Sequence, residues 1–285
     1  MSVFNDSLRA GRPTRLRRAF LAVLLSVAGV LMLLPVAWTF VNSIEPQSIQ
    51  FRLPPVWFPT TTSLNSYQQL FSLIPFADQL LSSLLVSVSV VIGSTIVSAL
   101  AAYAFARLEF RGKNVLFVML LCGLMLPVQL AAVPEFVEIR YLGLLNSRLS
   151  LIIPALIQVF GIFLLRQHFK TIPRELEDAA RIDGAGELRI LWHVIIPLSW
   201  PALSAVAIVT AQYIWNDFFW PLLFITDPHK MTAPLGLVTL ESSYLGGPVA
   251  GVFAGLSVLV VPAVAFFILI QRRLMEGIGF AGIAR

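Results

Sequence analysis

The stretch PRELEDAARIDGAGELRILWHVIIP, residues 173–197, decides how this chain is read. Eight of its first seventeen side chains are charged, after which it turns apolar and stops at a proline. The rest of the chain avoids charge: of 285 residues 58% are hydrophobic and 12% charged, with a mean hydropathy of +0.84. A soluble domain carries about twice that charge. Within the stretch, Pro173 suits a first helical turn, where its missing N–H costs nothing. Glu175, Glu177 and Asp178 then complement the positive end of the helix dipole. Leu176, Ala179 and Ala180 give that helix a narrow apolar edge. Gly184 stands where a left-handed cap ends a helix. A second helix is expected from about residue 185 to 196, closed by Pro197. Ala180, Gly184, Ala185 and Gly186 leave the corner nearly bare, so a facing protein can come close. The acidic side chains offer it salt-bridge partners. The rival reading, a loop lying on lipid headgroups, sets Glu175, Glu177, Asp178, Asp183 and Glu187 against anionic lipid, a poor neighbour for carboxylates.

Outward from this stretch the apolar residues fall in runs of about twenty, the length at which a helix crosses a hydrocarbon core of about 30 Å. The expected spans are 20–40, 80–104, 115–133, 149–165, 201–223 and 252–270. Turn chemistry separates them, as in FRGKN, TDPHK and LGGPV. With the N-terminus inside, sixteen of the twenty Lys and Arg residues fall on inner segments and four on outer ones. That asymmetry is the positive-inside signal. The expected fold is therefore an all-α membrane protein of six transmembrane helices with both termini cytoplasmic. It consists of a cytoplasmic tail, 1–19, and a single transmembrane domain, 20–285, with a long inner loop, 166–200. The run 20–40 is too long for a signal-peptide core and no small-x-small site follows it. The outer segment 41–79 is expected to hold a short helix near 66–74.

Several function classes fall away. The dispersed basic residues are explained by topology, not by nucleic acid. The lone Cys122 lies in an apolar run and reads as a small buried hydrophobe. His168, His193 and His229 have no metal-ligand spacing. No Ser-His-Asp or paired-carboxylate arrangement marks an enzyme. No G-x-x-x-x-G-K-[ST] loop exists to cradle ATP, so energy comes from a partner or an ion gradient.

Polar residues inside spans are costly and mark candidate pathway groups. QYIWNDFFWP supplies Gln212, Trp215, Asn216 and Asp217, with Trp220 beyond them. Asn216 lies about 24 Å along a helix from Trp200, in the outer half of the membrane. Gln129 and Gln158 sit alone in apolar surroundings, where an amide bridges helices or touches a substrate hydroxyl. Ser83, Ser87, Ser94 and Ser98, with Gly93 beside them, form a small-residue face suited to close packing or to a hydrophilic path.

The spacing of the opening stretch resembles the EAA motif of ABC importer permeases. That pattern is Glu-Ala-Ala, three residues, Gly, nine residues, then Ile-x-Leu-Pro. Here Asp178-Ala179-Ala180 precedes Gly184 by three residues, and nine more lead to Val194-Ile195-Ile196-Pro197. Asp178, Val194 and Ile196 are the three departures, and Asp178 has the shorter reach. AAYAFARLEFRGKN (101–114), LMLPVQLAAVPEFV (124–137), YIWNDFFWPLLF (213–224) and MEGIGFAGIAR (275–285) look like the carbohydrate branch, and within it the maltose-type second permease. The resemblance implies a type I ABC importer permease fold in a bacterial inner membrane. It implies a second homologous permease, two ATPase subunits carrying ATP and Mg, and an extracytoplasmic substrate-binding protein. The chain itself is then non-catalytic and binds no cofactor. The resemblance assigns coupling to the ATPase to Glu177, Asp178, Ala179, Ala180, Asp183, Gly184, Ala185 and Pro197. It assigns a loop reaching the binding protein to the segment after span five, with Gly246, Gly247 and Pro248 as a tip. Glycerophosphodiester importers resemble the same branch. The rivals of other classes are an ion-coupled transporter using Asp217 and a membrane scaffold that does not transport.

Overall fold

The computed structural model describes residues 15–45, 61–243 and 249–281. No strand occurs among them. Three helical runs are long and apolar enough to cross a membrane alone: Ala19–Ser43, Phe76–Arg107 and Leu149–Thr171. The first lies in helix α1 (Arg15–Ser43). A short helix α2 (Asn65–Leu73) on the following segment precedes α3 (Phe76–Arg107). The run Leu149–Thr171 comprises α6 (Leu149–Ala155) and α7 (Val159–Thr171), separated where Gln158 is extended.

The expected span 115–133 is bent, and 201–223 is divided into two helices. The run 115–133 begins as α4 (Lys113–Cys122), passes through 3₁₀ turns and resumes as α5 (Ala132–Tyr141). Its halves, Lys113–Met125 and Val128–Tyr141, meet at 100°. Pro127 is the cause: its ring pushes the preceding residue out of helical space, and Leu126 is extended, at φ −88° and ψ 128°. Cys122, expected to be buried, is exposed at the end of α4. The run 201–223 is α11 (Trp200–Trp215) followed by α12 (Phe219–Phe224). The Asp217 carboxylate accepts the Phe219 N–H at 3.0 Å, a bond that competes with helix continuation. After α12 come α13 (Ala233–Ser243) and the apolar α14 (Val249–Ala281).

Helix α3 is the axis on which the others pack. At one end Ala99, Ala102, Tyr103 and Ala106 meet Leu165 and Phe169 of α7 and Leu203 and Val206 of α11. Farther along, Val86 and Val90 pack with Ile139, Leu151, Ile214 and Phe224. At the N-terminal end polar fixings add to the apolar ones. The Ser83 hydroxyl accepts the Ala233 N–H at 2.8 Å, the Gln79 amide donates to the Pro228 carbonyl at 3.1 Å, and Arg148 donates to Ser82 at 3.0 Å. Asp78 meets the His229 ring at 2.6 Å. A third cluster joins Leu70, Phe76, Leu237 and Leu240 to Ala254 and Leu259 of α14. Helix α1 rests on α14, where Trp38 meets Phe253 edge-on at 5.5 Å, and its other side chains are largely exposed.

At Ser98 the serine face of α3 is a packing face, whereas Ser87 lines the cavity between α3, α11 and α14. Gly161 of α7 lies so close that a Cβ there would stand 2.8 Å from the Ser98 hydroxyl and 3.0 Å from Val206. Gly161→Leu is therefore expected to destabilise the protein by about 1–3 kcal/mol through overpacking. The measurement is the melting temperature of detergent-purified protein; an unchanged value would show that α3 and α7 do not touch there.

Candidate functional site

The charged stretch folds onto the C-terminal end of α3. Helix α8 (Glu175–Ile182) has all three acidic residues of its first turn at the positive end of its dipole. It ends in a Schellman cap. The Ala185 N–H donates to the Ala180 carbonyl at 2.9 Å and the Gly184 N–H to Arg181 at 3.0 Å, with Gly184 at φ +81°. The second helix differs from a plain α-helix over 185–196. It is α9 (Glu187–Ile190), a π-helical stretch Leu191–Ile195, and the single turn α10 (Ile196–Leu198). Ile190, Leu191 and Ile195 are buried against α3 and α7. An 83° corner then leads into α11, with Pro201 in its first turn.

Glu177, expected among the acids offered to a facing protein, turns inward to this chain's own Arg107. Its side chain is 2% exposed and its Oε1 lies 2.6 Å from Nε of Arg107, itself 4% exposed. The Arg107 Nη2 also donates to the Ile172 carbonyl at 2.6 Å. Burial pushes the Glu177 carboxyl above the usual range, while Arg107 and then Arg181 pull it back. Arg181 is the hub of the corner. It reaches Asp178 at 2.8 Å and Glu187 at 3.1 Å, and Glu177 more distantly at 3.5 Å. The Glu187 carboxyl is held below its usual range by hydrogen bonds from Arg181 and then Tyr103, whose hydroxyl donates at 2.5 Å. Tyr103 and Arg107, one turn apart on α3, thus hold the two arms of the corner.

What remains outward is mixed. Asp178, Ala179, Asp183, Gly184 and Pro197 are exposed, whereas Ala180 and Ala185 pack inward. Ile182 is 87% exposed and Leu188 66%, so two aliphatic side chains flank the bare corner. The sequence signal for this apolar surface was present but faint, because the helical spacing favoured Leu176, Ala179 and Ala180 as the apolar edge.

The pathway candidates separate into two places. Gln158 and Asp217 line a cavity of about 400 Å³ among α5, α6, α7 and α11. Gln212, Trp215 and Asn216 line a different one, of about 680 Å³, between α3, α11 and α14. Gln129 is exposed on the 3₁₀ turn beside Val128 and borders neither of these cavities. Two amides are spent locally: Asn216 donates to the Gln212 carbonyl at 2.7 Å, and Gln158 to Ala155 at 3.0 Å. Glu135, Tyr213 and Thr232, not singled out from the sequence, also line the first cavity. Gly246, Gly247 and Pro248 lie outside the described residues.

Residues 94–277 match the family model described as "Binding-protein-dependent transport system inner membrane component". The chain is 35% identical over 202 residues to the arabinooligosaccharides transport system permease protein AraQ of Halalkalibacterium halodurans, covering 71% of this chain and 72% of that one. It is 32% identical over 267 residues to the sn-glycerol-3-phosphate transport system permease protein UgpE of Yersinia enterocolitica, covering 91% and 95%. Among solved structures, a chain of a bacterial ABC transporter involved in import of the acidic polysaccharide alginate superposes with a TM-score of 0.78 at 26% identity, covering 92% of this chain and 98% of that one.

Proposed function

This chain belongs to the family of binding-protein-dependent transport system inner membrane components, and from that premise we propose how it works and with what. It is an inner-membrane permease subunit of an ABC importer, of a family whose permeases are non-catalytic. Its cargo is a carbohydrate, taken from an extracytoplasmic binding protein and released inside by alternating access. It pairs with a second permease, and two ATPase subunits hold the ATP and Mg. Both termini and the corner at Gly184 face the cytoplasm. There Asp178, Ala179, Asp183, Gly184 and Pro197 contact an ATPase subunit together with Ile182. Glu177, Ala180 and Ala185 support that contact from behind. Gln158 and Asp217 border the route of the sugar, and Gln129, Gln212, Trp215 and Asn216 its approaches. Gly246, Gly247 and Pro248 reach toward the binding protein.

One observation carries this reading: the most charged stretch of an apolar chain is a capped corner, held from behind by a buried ion pair, with aliphatic side chains outward. Such a surface fits a soluble partner better than lipid headgroups. The test is reconstitution in proteoliposomes with the partner permease, the ATPase and the binding protein. Saccharide uptake is expected to require ATP and to survive collapse of ion gradients. Gradient-driven uptake by this chain alone would sink the proposal.

A further inference from the structure

The first cavity holds more polar chemistry than its apolar walls need. Its volume of about 400 Å³ falls within the roughly 300–1,000 Å³ of small-molecule sites. Glu135 enters from α5, Gln158 from the α6–α7 break, Tyr213 from α11, and Asp217 and Trp220 from the α11–α12 corner. Tyr213 and Trp220 both line the cavity, which puts a phenol and an indole among its walls. Asp217 is steadied by the Phe219 N–H at 3.0 Å.

Two further observations point to a ligand and to its charge. Thr232, 4% exposed, lines this cavity, and its hydroxyl has no hydrogen-bond partner. A buried hydroxyl without a partner costs about 1–3 kcal/mol, a cost removed by a hydroxyl-bearing guest. The ionisable groups on the lining are Glu135, Asp217 and Tyr213, and no Lys, Arg or His is among them. An anion entering would meet like charge without a compensating cation, and such juxtaposition costs several kcal/mol.

We propose that this cavity is a saccharide subsite within this subunit, and that Glu135 and Asp217 make it selective for uncharged sugars against phosphorylated or uronic ones. Thr232 and the side-chain carbonyl oxygen of Gln158 contact sugar hydroxyls, and the Trp220 ring stacks on a sugar face. This deepens the carbohydrate-importer reading and rests on it. Specificity here comes from repulsion of the wrong cargo as much as attraction of the right one.

The experiment uses the full complex in proteoliposomes, with neutral disaccharides and the same disaccharides bearing a phosphate or carboxylate as probes. The unsubstituted complex is expected to take up the neutral member at least about tenfold faster, the ratio that corresponds to 1.4 kcal/mol. Glu135→Gln with Asp217→Asn is expected to bring that ratio below about threefold. Thr232→Val is expected to slow neutral uptake while stimulated ATP hydrolysis and subunit assembly persist. Anionic sugars entering as fast as neutral ones, or a ratio unmoved by the double substitution, would overturn the proposal. If the double variant assembles poorly, Glu135→Gln alone, assayed with the same binding protein, is expected to lower the ratio, and an unmoved ratio there overturns the proposal. Absence of ATP-dependent uptake for every sugar is a different outcome, which removes the carbohydrate reading itself.

Discussion

Replacing Glu177 with alanine is expected to cost about 3–5 kcal/mol, because it strands a buried guanidinium. Arg107 would keep only the Ile172 carbonyl among the partners described here, in a site where its side chain is 4% exposed. The α8 arm of the corner would lose its fixing to α3, leaving the α9 arm held through Tyr103 and Glu187. The melting temperature of the purified protein should fall, and ATP-dependent uptake by the complex should drop by more than an order of magnitude. The paired change Arg107→Met with Glu177→Leu should recover stability, since apolar side chains of similar volume remove both desolvation costs. A melting temperature unaltered by Glu177→Ala would mean that the pair does not hold the corner.

That expectation was not legible in the sequence, for a physical reason. Glu177 and Asp178 are adjacent acids about 100° apart around a helix of 3.6 residues per turn. Which one turns inward depends on where Arg107 stands, and α3 is far away in the chain. The apolar runs, by contrast, were plain, because crossing hydrocarbon requires about twenty such residues whatever the rest of the fold does. The bend in the third run was less plain. Membrane helices tolerate proline when neighbours satisfy the freed backbone groups, so Pro127 alone did not reveal a 100° turn. The cavity was half legible. Asp217 and Gln158 announce themselves as polar groups in apolar runs. Glu135 stands just past the expected end of such a run and Thr232 in a connection, where polar residues are unremarkable.

Gly184→Val is the second large effect. At φ +81° a side chain costs about 1–2 kcal/mol, and a β-branched one is a worse fit still. No atom lies within 4 Å of where its Cβ would stand, so the chain itself has room and the strain is in the backbone. The Schellman bonds should weaken, the ATPase subunit should co-purify poorly, and uptake should fall by more than about tenfold. Gly184→Asn separates conformation from bulk. Asparagine accepts the left-handed region, so stability should return. Uptake should stay low, because its side chain fills the corner where a partner comes close. Normal uptake by Gly184→Val would remove the corner from the docking surface.

The ion pairs behind Gly184 also bear on the entropy of association. A flexible segment that orders on docking gives up roughly 1–2 kcal/mol per residue of backbone freedom. Here the Arg107–Glu177 pair, the Arg181 hub, the Tyr103 bond and the buried Ile190, Leu191 and Ile195 have already taken that freedom during folding. On the docking proposed above, the corner would meet the ATPase subunit as a shaped solid, and little of the contact energy would be lost to ordering it. The same rigidity would let association and release recur through the proposed transport cycle without refolding the surface each time.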